Sequence, residues 1–408
     1  MTEPGRGSLE RLRSTNREAV LAVLARSGPL SRADLTRATG LSRTTVSSLV
    51  RDLLREGVVT ELTDRGQAHR GGSGRPPTLL GLQAVTGALV GVDIGHRHIR
   101  VVVADQSSTV LAEQSASLDV DHAAKVVLDK TTEMVEQTLF DAGVDLDRVV
   151  GFGMGVPGPV DPRTGTITSP ILPGWVGMAP AEELSRRVGV PVRLDNDANI
   201  GALGELTYGV AKGLLDVIYV KAAGGLGAGL VLGGRLHRGA TGIAGEIGHV
   251  RLHEAGPVCR CGNRGCLETQ VSAPKLVELL QPAHDLELTV ERMLELGDAG
   301  DAGVNRVLDD AGRSIGRVLA DLSNHINPAA IVVGGAMGAS AALLRGIRDS
   351  VDRYAQPDTA SAVRITAGAL GERAEVMGAL ALALDSTAVV GDWSAGDRFG
   401  SPTRATRE

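Results

Sequence analysis

The three cysteines of this 408-residue chain, Cys259, Cys261 and Cys266, all fall in one short run. It reads Cys259-Arg-Cys261-Gly-Asn-Arg-Gly-Cys266-Leu-Glu268, with His249 a little upstream. Cysteines that merely fill a core scatter along a sequence, whereas metal ligands must converge, and tetrahedral zinc takes four Cys or His donors. His249, Cys259, Cys261 and Cys266 supply that number, and the glycines between them let the backbone turn tightly around an ion. The spacing predicts a structural Zn2+ site within 249–266. Reduced surface thiols are the plainer alternative; a disulfide would leave one thiol over.

A second set of residues has the chemistry of DNA recognition. Residues 1–80 hold 13 Arg, no Lys and eight acidic residues, a balance of +5 in a chain whose net charge is −6. A basic front on an acidic body suggests that only the front meets nucleic acid. A helix is expected over Asn16 to Ser27, stopped by Pro29. Ser31-Arg-Ala-Asp34 is a capping box opening a second helix, Gly40 makes a turn, and Ser42 caps a third helix running to about Glu56. On that third helix Val46, Leu49, Val50, Leu53 and Leu54 form one apolar stripe. Arg43, Thr44, Ser47, Ser48 and Arg51 lie away from it or at its edges, offering the short hydroxyls and guanidinium groups that read base edges and grip phosphates. A hairpin wing follows, with Arg65, Arg70 and Arg75 in or beside its tip. The layout predicts a winged helix-turn-helix over residues 1–82.

These residues need elements to hold them. Aromatic residues make up only 2% of the chain, so its cores must be aliphatic. From Gly87 strands alternate with helices: strands over Ala88–Ile94, His98–Ala104, Leu111–Val120 and Val149–Val156, with a helix over His122–Ala142. Val190–Leu194 leads into Asp195-Asn196-Asp197-Ala198-Asn199 and a further helix. Strands Val217–Val220 and Gly227–Leu232 flank a glycine-rich loop, and a long amphipathic helix spans residues 304–326. The pattern is α/β. The first residues lack a signal-peptide core and no apolar run is long enough to span a membrane, so a cytoplasmic location is expected. A disordered tail is expected over 388–408.

Residues 83–387 carry motifs more specific than the alternation. Gly248-His249, Cys259, Cys261, Gly262, Gly265, Cys266 and Glu268 complete the pattern GH…CxCGxxGCxE. Glu246-Ile-Gly-His249, Asn196-Asp197-Ala198-Asn199 and Leu172-Pro173-Gly174-Trp175 accompany it. In these motifs the body resembles the ROK family of sugar kinases and sugar-responsive repressors, and the winged helix resembles its regulator branch. The resemblance implies the two-lobed actin-like ATPase (ribonuclease H-like, sugar kinase) fold with sugar between the lobes. It also implies Asn196, Asp197, Glu246, His249 and Glu268 as ligand-binding residues, because paired carboxylates and amides suit hydroxyls that both donate and accept. His249 would serve metal and sugar through its two nitrogens. Asp197 holds the place of the general base in the family's kinases.

Two phosphate-binding loops depart from that kinase pattern. Asp93-Ile-Gly95-His96-Arg97 stands where the kinases have Asp-x-Gly-Gly-Thr, and Ala223-Gly224-Gly225-Leu226-Gly227 lacks a Thr. Phosphoryl transfer depends on positioning those phosphates, so no ATP use and no catalytic residue are expected. Ile171 replaces the Asn often found before Leu-Pro-Gly-Trp. The resulting expectation is a repressor, a homodimer or a tetramer, that binds double-stranded operator DNA and answers to a monosaccharide or sugar phosphate. The alternative is an ATP-dependent sugar kinase with an added DNA-binding module.

Overall fold

The structure, a computed structural model, describes positions between 13 and 24, then residues 28–55, 58–62, 78–82 and 87–388. Two compact units divide it, the first reaching Thr86 and the second spanning Gly87–Leu384.

In the first unit the expected helix-turn-helix forms. Ser31 caps helix Arg32–Thr39: its hydroxyl accepts the Asp34 N–H and the Asp34 carboxylate accepts the Ser31 N–H, which is the reciprocal capping box. Gly40 ends the helix at φ +69°, a left-handed conformation that favours glycine. Ser42 then accepts the Thr45 N–H ahead of helix Arg43–Arg55. Val46, Leu49, Val50 and Leu53 bury one side of that helix against Val20, Leu21, Leu24 and Leu35. Strands β2 (Val59–Leu62) and β3 (Leu79–Leu82) pair antiparallel as the wing, and β1 (Leu30–Ser31) adds to β3. The wing tip with Arg65, Arg70 and Arg75 lies outside the described residues, as does the tail beyond Ala388.

The second unit holds two five-stranded sheets of one topology. The first comprises β4 (Ala88–Ile94), β5 (His98–Asp105), β6 (Val110–Ser117), β7 (Val149–Val156) and β8 (Arg193–Asn196), in the order β6-β5-β4-β7-β8. The second comprises β9 (Val217–Ala222), β10 (Leu226–Leu232), β11 (Arg235–Leu236), β12 (Ala330–Gly334) and β13 (Arg364–Ala367), in the order β11-β10-β9-β12-β13. In each, three strands run as an antiparallel meander and two more are added in parallel. Each sheet and its outer helices make one lobe with an aliphatic core.

Two helices run from lobe to lobe. Helix Asp197–Thr207 follows the last strand of the first sheet, yet packs on the second: a side chain at Gly229 would meet the Ala198 carbonyl oxygen at 2.5 Å. Helix Ala374–Ala388 follows the last strand of the second sheet and packs on the first, where a Cβ at Gly153 would lie 2.0 Å from the Ala379 oxygen. The two helices touch backbone to backbone: a Cβ at Gly378 would sit 1.6 Å from the Ile200 oxygen.

Several boundaries move from the sequence expectation. The third strand ends at Ser117 and not at Val120, and the following helix begins at Ala124. The intervening residues serve the Leu-Pro-Gly-Trp segment instead: Asp121 accepts the Gly174 N–H and Val120 accepts the Trp175 indole N–H at 2.8 Å. Strand β8 runs Arg193–Asn196 because Asp195 and Asn196 stay extended up to the helix cap.

Candidate functional site

The metal-ligand candidates converge. His249, Cys259, Cys261 and Cys266 bring four donor atoms within 4.8 Å of one another. A short 3-10 turn, Ile247–His249, presents the imidazole. The cysteine run closes on itself through a bridge between Val258 and Arg264, with the Cys259 N–H donated to the Asn263 carbonyl at 2.7 Å. Gly262 and Gly265 take φ of +92° and +67°, and a Cβ on Gly265 would lie 1.7 Å from the His253 oxygen. Glycine is required there. Cys259 and Cys266 are buried. Burial first, then neighbouring thiols, pushes Cys266 up to about 12. Such thiols would stay protonated in the absence of a cation, and a bound metal is what turns them into thiolates. The set can therefore hold a metal ion.

His249 points its two nitrogens in different directions. Nδ1 lies 3.5 Å from Cys259 Sγ, on the metal side, and Nε2 lies 3.5 Å from Glu246 Oε2. Burial, with the charges of Asp197 and Glu268 adding to it, pushes the Glu246 carboxyl up to about 7. Glu268 lies close by, 3.4 Å from where a Cβ on Gly248 would stand. Glu268 opens the short helix Glu268–Val271 and accepts the Leu226 N–H at 3.0 Å, so it also fixes the glycine-rich loop. Asn196 is largely spent on structure. Its Oδ1 caps the following helix by accepting the Ala198 and Asn199 N–H groups, and its Nδ2 donates to the Gly158 carbonyl.

The structure adds residues that sequence reasoning missed. Lys221, on β9, donates from Nζ to Asp197 Oδ2 at 2.8 Å, and both side chains are 13% exposed. Burial opposes the Lys221 charge, but Asp197, Glu375 and Asp93 together hold it above the ordinary lysine range. Asp93 pairs with His98 Nε2 at 2.8 Å. Arg260, between two of the cysteines, lies 3.5 Å from Asp121 and 3.7 Å from Glu268. Asp121 in turn pairs with His96 at 2.6 Å. The cysteine loop of one lobe thus reaches residues of the other. The alternation of β9 carried a signal for Lys221, a lysine in an otherwise apolar strand, but not its partner.

At the two loops compared with phosphate-binding loops, His98 lies against Gly95, where a Cβ would stand 2.2 Å from its ring. The second loop is a tight hairpin, with Ala222 opposite Leu226 and the Ala223 N–H donated to the Gly225 carbonyl. Arg97 is exposed, and Ile171 is buried. Arg43, Thr44, Ser47, Ser48 and Arg51 are all exposed, on the side of their helix away from its core.

This architecture has known relatives. A profile of the ROK family matches residues 89–386. The chain belongs to the ROK family. A MarR family profile matches residues 19–70, so the ROK body carries a MarR-type winged helix. The xylose repressor of Bacillus subtilis is 29% identical over 375 residues, covering 92% of this chain and 96% of that protein. The crystal structure of a ROK family transcriptional regulator, a homologue of E. coli MLC, covers 92% of this chain and 97% of its own at TM-score 0.77 and 24% identity, a likeness of fold. A ROK glucokinase from Streptomyces griseus, solved with glucose and AMPPNP, covers 73% of this chain and all of its own at TM-score 0.64 and 29% identity. The repressor likeness thus runs through both units, whereas the glucokinase covers a share that fits the ROK body. Among the described residues no helix is long and apolar enough to cross a membrane.

Proposed function

We propose that this protein is a sugar-responsive transcriptional repressor. In this reading a homodimer holds operator DNA through Arg43, Thr44, Ser47, Ser48, Arg51 and the wing residue Arg75, and the interlobe cleft takes a monosaccharide or sugar phosphate. The observation that carries it is the union of an exposed hydroxyl and guanidinium helix face with a ROK body in one chain. The full-length likeness to the xylose repressor supports it. Asp197, Glu246, His249 and Glu268 would bracket the sugar hydroxyls, with Asn196 chiefly fixing the helix that carries Asp197.

Zinc suits the metal loop. Bonds of about 2.3 Å to sulfur and about 2.0 Å to nitrogen in a tetrahedron put donor atoms roughly 3.5–3.8 Å apart. Cys261 and Cys266 stand 3.7 Å apart, and Cys259 and His249 3.5 Å. His249, Cys259, Cys261 and Cys266 would hold the ion, whose part is to fix the loop carrying His249 and Glu268. Nucleotide is not part of this reading, given His96 and Arg97 at the first loop and the missing Thr at the second.

Ligand can weaken DNA binding only by its differential affinity for two states of the protein. Operator fragments selected from a random pool would be titrated with the protein alone and with pentoses, hexoses, amino sugars and their phosphates. One sugar is expected to lower operator affinity about tenfold or more, within the usual range of allosteric coupling. Unchanged affinity with every sugar overturns the proposal. The kinase alternative, favoured by the retained Asp197, requires sugar-dependent ATP turnover that disappears in Asp197→Asn.

A further inference from the structure

We propose that Lys221 is a tethered cation standing where the cleft would otherwise take a divalent ion, and that it sets this site for binding sugar without transferring phosphate. The inference deepens the sensor reading of the cleft.

Asp197 accepts directly from this ammonium, and the negative charges of Glu375 and Asp93 act on it from two further elements. Asp93 comes from the end of β4, Asp197 from the first turn of helix Asp197–Thr207, and Glu375 from the first turn of helix Ala374–Ala388. Asp93 is 1% exposed and Glu375 2%. Carboxylate oxygens are the donors that a hard cation such as Mg2+ takes. Here the amine of Lys221, on β9 of the second sheet, supplies the charge. Asp93 retains the mark of an unfilled donor: its Oδ1 is buried without a hydrogen-bond partner, while Oδ2 is taken by His98.

The remaining groups balance around the lysine. His98 is held toward its charged form by Asp93 against the effect of burial. Glu375 accepts the Tyr219 hydroxyl at 3.0 Å, and burial pushes its carboxyl up to about 7, so that the cluster sheds part of its negative charge. A divalent ion entering beside a fixed ammonium would meet repulsion in a poorly solvated place. Phosphoryl transfer relies on such an ion to bridge and neutralise the phosphates. Asp197 is engaged at both oxygens, Oδ2 by Lys221 and Oδ1 by the Ala198 N–H at 2.7 Å. It is thereby oriented as an acceptor for a ligand hydroxyl.

The test reads metal binding and not DNA release, so it stands or falls separately from the sugar titration. Full-length protein with its metal loop loaded with zinc would be titrated with Mn2+, and free Mn2+ followed by its electron paramagnetic resonance signal. The wild type and Lys221→Arg are expected to show no uptake beyond that of their Asp197→Asn counterparts. Lys221→Met is expected to gain one Mn2+ per chain, at least tenfold tighter than any wild-type uptake, and to lose it when Asp197→Asn is added. A folded Lys221→Met protein that takes up no Mn2+ overturns the proposal. So does Mn2+ uptake by the wild type that Asp197→Asn abolishes, a result readable even if Lys221→Met fails to fold.

Discussion

His249 faces the cysteines with Nδ1 and Glu246 with Nε2, and this division of one ring links the cysteine loop to the carboxylate proposed for the ligand. A Cys261→Ser protein should lose its metal, as read by a zinc-release assay, and the sugar effect on DNA binding should weaken at least tenfold with it. Retained sugar response after metal loss would make the loop a remote structural clasp. The cysteine cluster was legible in the sequence because its ligands are neighbours whose spacing alone implies convergence. Lys221 was not, because its partner Asp197 is 24 positions away, and Glu375 joins them from the last described helix. Residue types can propose such a cluster, but only the crossing of three elements assembles it. Asn196 illustrates the converse: the motif was plain, while its use as a helix cap depended on the turn from β8 into the helix.

Helix Arg43–Arg55 shows what an element adds to its residues. Its apolar stripe is buried among Val20, Leu35 and their neighbours, so the opposite face, with Arg51, has only solvent or a partner to meet. Replacing Arg51 by Ala should weaken operator binding similarly across related sequences and reduce the salt slope of the affinity by about 1 if the guanidinium contacts phosphate. Fluorescence anisotropy at several salt concentrations would measure both. A change confined to one operator position would mean a base contact. Caps and apolar periodicity placed this helix and its predecessor within a residue or so, since both signals are local. Element ends in the body were harder to read. The residues after Ser117 are as suited to a strand as those before, but Val120 and Asp121 are drawn off by Trp175 and Gly174, more than fifty positions away.

At the scale of the whole second unit, the two sheets share one strand order, and the helices after their last strands trade places. Relative movement of the lobes must pass through the point where those helices touch, at Gly378 and the Ile200 backbone. Gly378→Ala puts a methyl group into that contact. It should cost about 1–3 kcal/mol, the usual range for overpacking, seen as a lowered thermal midpoint, and should reduce the sugar effect on operator affinity. A variant of unchanged stability and response would show that the helices separate freely. The exchange of helices also bears on how this body can be divided. A cut in the connection after Thr207 leaves the first fragment with an apolar helix made for the other sheet and without the helix that covers its own. The two halves, alike as they are in strand order, are not separable domains. Each is completed by a piece of the other, and the first lobe has no finished core until the last described helix, nearly two hundred residues later, has been made.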